Sequence, residues 1–288
     1  MIQSIHKNAA SRLLPWLQSM PKDQDIQQRI QLLALLRLCT LNNEVQASEF
    51  HQVAQTVLNY GPPLDYTKGD LLVTLLACDL AEEVGSPLQV KSAKQYTSFL
   101  KELWEEGVYP SNTDLLNSIF SKGKAKQPQK ITVRLERFTK NRDAEILKIL
   151  EKVERSSSFG SVPIEADAYG ILNIETMALR AIRNYDIPLA MRCIRSRLYL
   201  STADSLLLRT SLAFIESQQC FDGSFGDFDA DVLKVSTVEE RNAILMKIKS
   251  VVSFQIMWTL LEFKKVNLLS SLHFIKQDVF ENNEMKMD

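Results

Sequence analysis

The chain has 288 residues, is 45% hydrophobic and 24% charged, and carries a formal net charge of -1. That length allows one large core or two tightly packed halves, and near-neutrality excludes a global field that would draw the chain to nucleic acid or to an anionic membrane. No stretch reads as the roughly 20 apolar residues of a bilayer span, and the start, MIQSIHKNAASRLLPW, lacks the uninterrupted apolar run of a secretory signal. The four cysteines, Cys39, Cys78, Cys193 and Cys220, lie far apart with no CxxC pair. They read as free thiols of a reducing compartment, so a cytoplasmic location is expected.

In chain order, residues 25–39 place Ile26, Ile30, Leu33 and Leu36 on one stripe, with Gln27, Gln31 and Arg37 off it, which predicts an amphipathic helix. Val53, Val57 and Leu58 continue the pattern, and YGPPLDY at 60–66 breaks it, because proline cannot continue a helix. DLLVTLLACDLAEEVG at 70–85 is apolar on nearly every face. SKGKAKQPQK at 121–130 is basic and low in complexity, and reads as a solvated loop. Val133, Leu135, Ile146, Leu147, Ile149, Leu150 and Val153 mark a later helical region. RSSSFGSVPIEADAYG is the longest break and puts a boundary between halves near 155–168. An arginine-rich pair of helices follows, with Arg180 and Arg183 sharing a face of the first and Arg192 and Arg195 a face of the second. They read as a grip for carboxylate or diphosphate, or as partners of acids on outer helices. VVSFQIMWTLLEF at 251–263 is again apolar all round, and a disordered tail is expected at 281–288.

No run of alternating β-branched residues interrupts these segments, so the fold class is all-α. Helices covered on all sides alternate with amphipathic ones, which implies an inner and an outer set. A single domain over 1–288 with about six helix pairs of 40–47 residues fits the length. It would be arranged as an α/α toroid, a helical bundle or a solenoid.

The stretch RTSLAFIESQQCFDGSF carries the one specific motif. It resembles the QW repeat of the terpene cyclase and protein prenyltransferase superfamily. Arg209 stands at the basic position, Phe214 at the aromatic, Gln219 at the glutamine, Gly223 at the glycine, and Phe225 where the family has tryptophan; Thr210 replaces the usual small residue. The motif's physical logic is structural. A glutamine at a helix end bonds exposed backbone groups of neighbouring helices, glycine lets the chain leave the helix, and the aromatic shields the bond. The resemblance covers 17 residues and implies an α/α toroid around an apolar cavity.

The chemistry that the resemblance implies lacks its signatures here. The nearest match to the cyclase acid motif DxDD is DFDAD, with Asp227, Asp229 and Asp231 one spacer too far apart. These acids and Asp79 are the catalytic candidates, against the plainer reading of solvated or helix-capping carboxylates. Phe254, Gln255 and Trp258, with Arg180 and Arg183, are the candidates for substrate binding. His6, His51 and His273 fall in no metal-ligand spacing, so no metal and no cofactor is expected. The expected function is a specialised biosynthetic tailoring enzyme acting on an apolar or peptide-like substrate. The alternative is a non-catalytic helical module that binds a partner protein or peptide, and the state of the central cavity separates the two.

Overall fold

A computed structural model describes residues 2–20, 24–105, 131–133, 142–157, 164–166, 168–200, 205–235 and 237–284. The basic stretch at 121–130 lies outside them, as does half of the break near 155–168. The helices are α1 (Ile2–Ser19), α2 (Ile26–Asn42), α3 (Ala47–Asn59), α4 (Leu71–Val84), α5 (Pro87–Glu105), α6 (Arg142–Ser157), α7 (Ala168–Arg183), α8 (Ile187–Leu200), α9 (Leu206–Ser217) and α10 (Val238–Glu284). The fold is all-α, as the periodicity predicts. One small addition was not expected: three-residue strands β1 (Ile131–Val133) and β2 (Ile164–Ala166) pair in parallel. Parallel neighbours need a crossover, and α6 lies between the two strands in the chain.

Helix α2 shows how the core is built. Asp25 and Gln28 form a reciprocal capping box: the Gln28 amide donates to Asp25 Oδ1 at 2.8 Å, and the Asp25 amide donates to Gln28 Oε1 at 3.3 Å. From there the helix is buried almost all round. Leu32, Leu35 and Leu38, off the expected apolar stripe, are as inaccessible as Ile30, Leu33 and Leu36. The amphipathic reading of this helix is therefore corrected. The reason is tertiary: α2 packs against α1, α3, α4 and α10. Each fully buried aliphatic side chain there contributes about 1.5–3 kcal/mol.

Polar residues inside this core are spent on backbone carbonyls. Buried Arg29 donates to Val57 O at 3.0 Å and Leu58 O at 3.3 Å, and Gln89 Nε2 donates to Leu58 O at 2.7 Å. The two side chains satisfy the open C-terminal end of α3. Asn42 Nδ2 donates to Leu38 O at 2.9 Å and to Met257 O at 3.0 Å, tying α2 to α10.

Val238–Lys265 within α10 contains a window long and apolar enough to cross a membrane, by length and composition. The sequence reading did not anticipate it. Its apolar residues Val252, Phe254, Ile256, Met257 and Leu260 are buried, and the helix packs on α2 and α8, as a core helix does. A second, smaller core gathers Ile146, Leu150 and Val153 of α6, Ile174 and Met177 of α7, and Cys193 of α8. Helix α8 serves both cores, because Ala190, Met191 and Ile194 face the larger one.

Candidate functional site

The motif residues sit where α9 ends. Leu208, Leu212 and Ile215 recur at helical spacing and anchor α9 in the larger core. After Ser217 the chain makes a tight turn. Gln219 and Phe225 form an antiparallel bridge, Cys220 N donates to Ser224 O at 2.8 Å, and Gly226 N donates to Gln218 O at 2.9 Å. Gln219 Nε2 donates to Gly223 O at 3.0 Å and to Ala9 O of α1 at 2.9 Å. Gly223 has φ +90°, and a Cβ there would lie 1.7 Å from Arg12 O. Glycine is thus required twice over, for the backbone conformation and for the close approach of α1. Phe225 is fully buried, Phe214 is half-buried against the same core, and Arg209 is exposed. Asp222 braces the turn by accepting from the Ser224 amide at 2.9 Å and the Ser224 hydroxyl at 2.6 Å. Burial pushes its carboxyl up, but the two Ser224 bonds together with Lys249 outweigh burial and hold it below the usual carboxylate range.

The acidic candidates do not converge. Asp227, Asp229 and Asp231 are all exposed, in the segment that runs into a short 3₁₀ turn, Asp229–Val232. Its fixed points are neutral: the Asp227 amide donates to the Tyr185 hydroxyl at 2.8 Å, and the rings of Tyr185 and Phe228 pack at 5.5 Å. Asp79 is exposed on α4 and accepts from Arg37 Nε at 2.6 Å, while Arg37 Nη1 donates to Glu83 at 2.7 Å. Among the described residues no three His, Cys, Asp or Glu side chains are grouped to hold a metal ion.

The substrate-binding candidates divide. Arg180 is exposed and forms a two-pronged pair with Asp143 at 3.2 and 3.0 Å, and Arg183 is exposed near the end of α7. Phe254 and Trp258 are buried with ring centroids 6.0 Å apart. Between Trp258 and α6 lies Arg195, which the sequence marks with Arg192 as a grip for carboxylate or diphosphate or as a partner of acids on other helices. It is fully buried, with its guanidinium carbon 3.8 Å from the Trp258 ring centroid. Arg195 Nη2 donates to Glu154 Oε1 and to Gln255 Oε1, each at 2.7 Å, and Nη1 donates to Thr259 Oγ1 at 3.0 Å and Gln255 O at 3.1 Å. Arg192 Nε donates to the other oxygen of Glu154 at 2.9 Å. Glu154 follows Val153 on α6, and nothing local in the sequence marks it as the partner. Both terminal nitrogens of Arg195 are taken by partners from α6 and α10, so the network joins three helices, while Nε is buried without an acceptor among the described residues.

An open cleft lies elsewhere. It has a volume of about 600 Å³ and is formed by the corner between α1 and α2, the loop before α4, and the first turns of α10. Glu239, Asn242, Ala243, Met246, Lys247, Ser250 and Val251 recur at helical spacing and form the α10 wall. No family model, no curated protein and no solved structure matches the chain.

Proposed function

We propose that the chain is a non-catalytic helical module that binds a partner protein or peptide. The filled centre carries this reading. Ile30, Leu33, Leu35 and Leu36 of α2 are fully buried where an enclosed reaction chamber would need space. Phe254 and Trp258, the expected cavity wall, pack on each other instead, and Trp258 packs on Arg195. An acid catalyst of the cyclase kind needs a shielded carboxyl, whereas Asp79, Asp227, Asp229 and Asp231 all face solvent. The open cleft between α2, α4 and α10 leaves a concave face for a partner.

The same observation favours a bundle packed around α2 over the toroid that the motif resemblance implies. The turn at 218–226 acts as a clamp in either arrangement. A cytoplasmic location goes with this reading, since Cys39, Cys78 and Cys193 are buried free thiols. Native mass spectrometry of the full chain, purified without denaturation, tests the proposal. A stoichiometric polypeptide adduct is the expected result. A retained apolar small molecule that protects Phe254 and Trp258 from labelling would overturn it in favour of the tailoring enzyme.

A further inference from the structure

We infer that a second cleft, lined by α1, α2 and α3, is a binding site for a carboxylate carried on a short aliphatic group. The inference goes beyond the module reading, which rests on the other cleft. This one has a volume of about 290 Å³, at the small end for a ligand pocket. Leu17, Met20, Leu32, Val53 and Val57 give it an aliphatic and thioether surface. Arg29 lines it too, and is the one charged side chain among its described lining residues.

Arg29 is a cation without an anion. Only 4% of it is exposed, and its partners among the described residues are backbone carbonyls at the end of α3. Nε donates to Val57 O at 3.3 Å, and Nη2 donates to Val57 O at 3.0 Å and to Leu58 O at 3.3 Å. A helix end supplies about half a negative charge, so part of the positive charge stays unanswered. Tyr66 is a titratable neighbour, but burial pushes its phenol up and it brings no negative charge at neutral pH. Burial likewise pulls the guanidinium below its ordinary value, although arginine stays protonated.

Nη1 is the nitrogen left over. It has no acceptor among the described residues, yet it is not sealed from solvent as Gln31 Nε2 is. It lies beside the exposed turn at Gly61, 3.6 Å from where a Cβ would stand there. One free nitrogen suits one carboxylate, and it offers no fork for a phosphate. Gln18, Gln24 and Gln52 belong to the same lining and carry amide donors for the second oxygen. The aliphatic surface receives the rest of the ligand. Two sources present this chemistry: a free aliphatic acid, and the C-terminus of a polypeptide that ends in an aliphatic residue.

The test uses the full chain with carbon-13 in its methionine methyls. Met20 borders both clefts, whereas Met246 borders the other and not this one. Hexanoate is expected to shift the Met20 methyl saturably and to leave Met246 unmoved. Butyrate should bind more weakly, by about threefold for each methylene lost. Hexanamide, of the same shape without the charge, should bind at least about tenfold more weakly. Arg29→Met should abolish binding. Because Arg29 also closes the end of α3, exposed Gln52 gives an independent reading: Gln52→Glu should weaken hexanoate about threefold, and Gln52→Lys should tighten it by as much. Acetylated alanyl-alanyl-leucine that binds more tightly than hexanoate, and loses its binding on C-terminal amidation, assigns the site to a polypeptide end. Any other order assigns it to a free acid. Equal binding of hexanoate and hexanamide, no saturation by any of these acids up to about 10 mM, Gln52 variants that act in the same direction, or a Met246 shift in step with Met20 would overturn the inference. The module reading would stand through each of these failures, because native mass spectrometry tests it separately.

Discussion

Two glycine turns follow one another between α9 and α10, and they are built in opposite ways. Gly223 and Gly226 both hold positive φ, +90° and +86°. Around Gly223 the chain turns inward: Gln219 reaches Ala9 of α1, Phe225 is buried, and Arg12 presses on the glycine itself. After Gly226 it turns outward. The glycine makes room for the Phe228 ring, whose atoms would lie 2.2 Å from a Cβ, and the three aspartates that follow are solvated. The aspartates imitate a catalytic motif, yet it is the glutamine that makes the long-range contact. Residue type says less than what the backbone on either side is pressed against.

Gly223→Ala should break the inward turn most severely. Overlap with Arg12 O and a strained φ together are expected to cost about 2–5 kcal/mol, read as a lowered urea midpoint. Gln219→Ala leaves the carbonyls of Ala9 and Gly223 without their donor and should cost about 1–2 kcal/mol. Asp222→Asn tests the same turn by pH. The folded carboxyl titrates below the ordinary carboxylate value, so its contribution is complete above the unfolded pKa and is lost as pH falls through the lowered folded one. The variant should therefore lose less stability than the parent on acidification, with an effect smaller than that of Gln219→Ala because the side chain is half in solvent. Tyr185→Phe removes the acceptor of the exposed Asp227 amide and should cost less again, about 0.5 kcal/mol. Asp229→Asn should leave the thermal midpoint unchanged. A loss from Asp229→Asn that matched Gln219→Ala would erase the contrast between the turns.

The Arg195 network shows why part of the molecule stayed hidden. Gln255 and Trp258 stand out in the sequence because polar and aromatic residues interrupt an apolar helix. Arg195 stands out only as one of an arginine-rich set, and Glu154 does not stand out at all, since a glutamate at helical spacing looks like any solvated face. They are 41 positions apart and meet only because α6 and α8 pack together. Gln31 is hidden for the same reason: in the sequence it is one of several glutamines on a helix surface, and the burial of its Nε2 without an acceptor among the described residues is a property of the packing.

Periodicity, proline breaks and the capping pair Asp25 and Gln28 are local, so the sequence by itself determined that the chain is helical and where α2 begins. It also marked Gln219, Gly223 and Phe225 as a unit, because helix exit, glycine and aromatic lie within seven residues. Which helix would be covered on every face was decided by tertiary structure. The stripe of α2 looked half-exposed until α1, α3, α4 and α10 enclosed it. Burial is a sum over neighbours that are distant in the chain, and local spacing carries no information about how many there are.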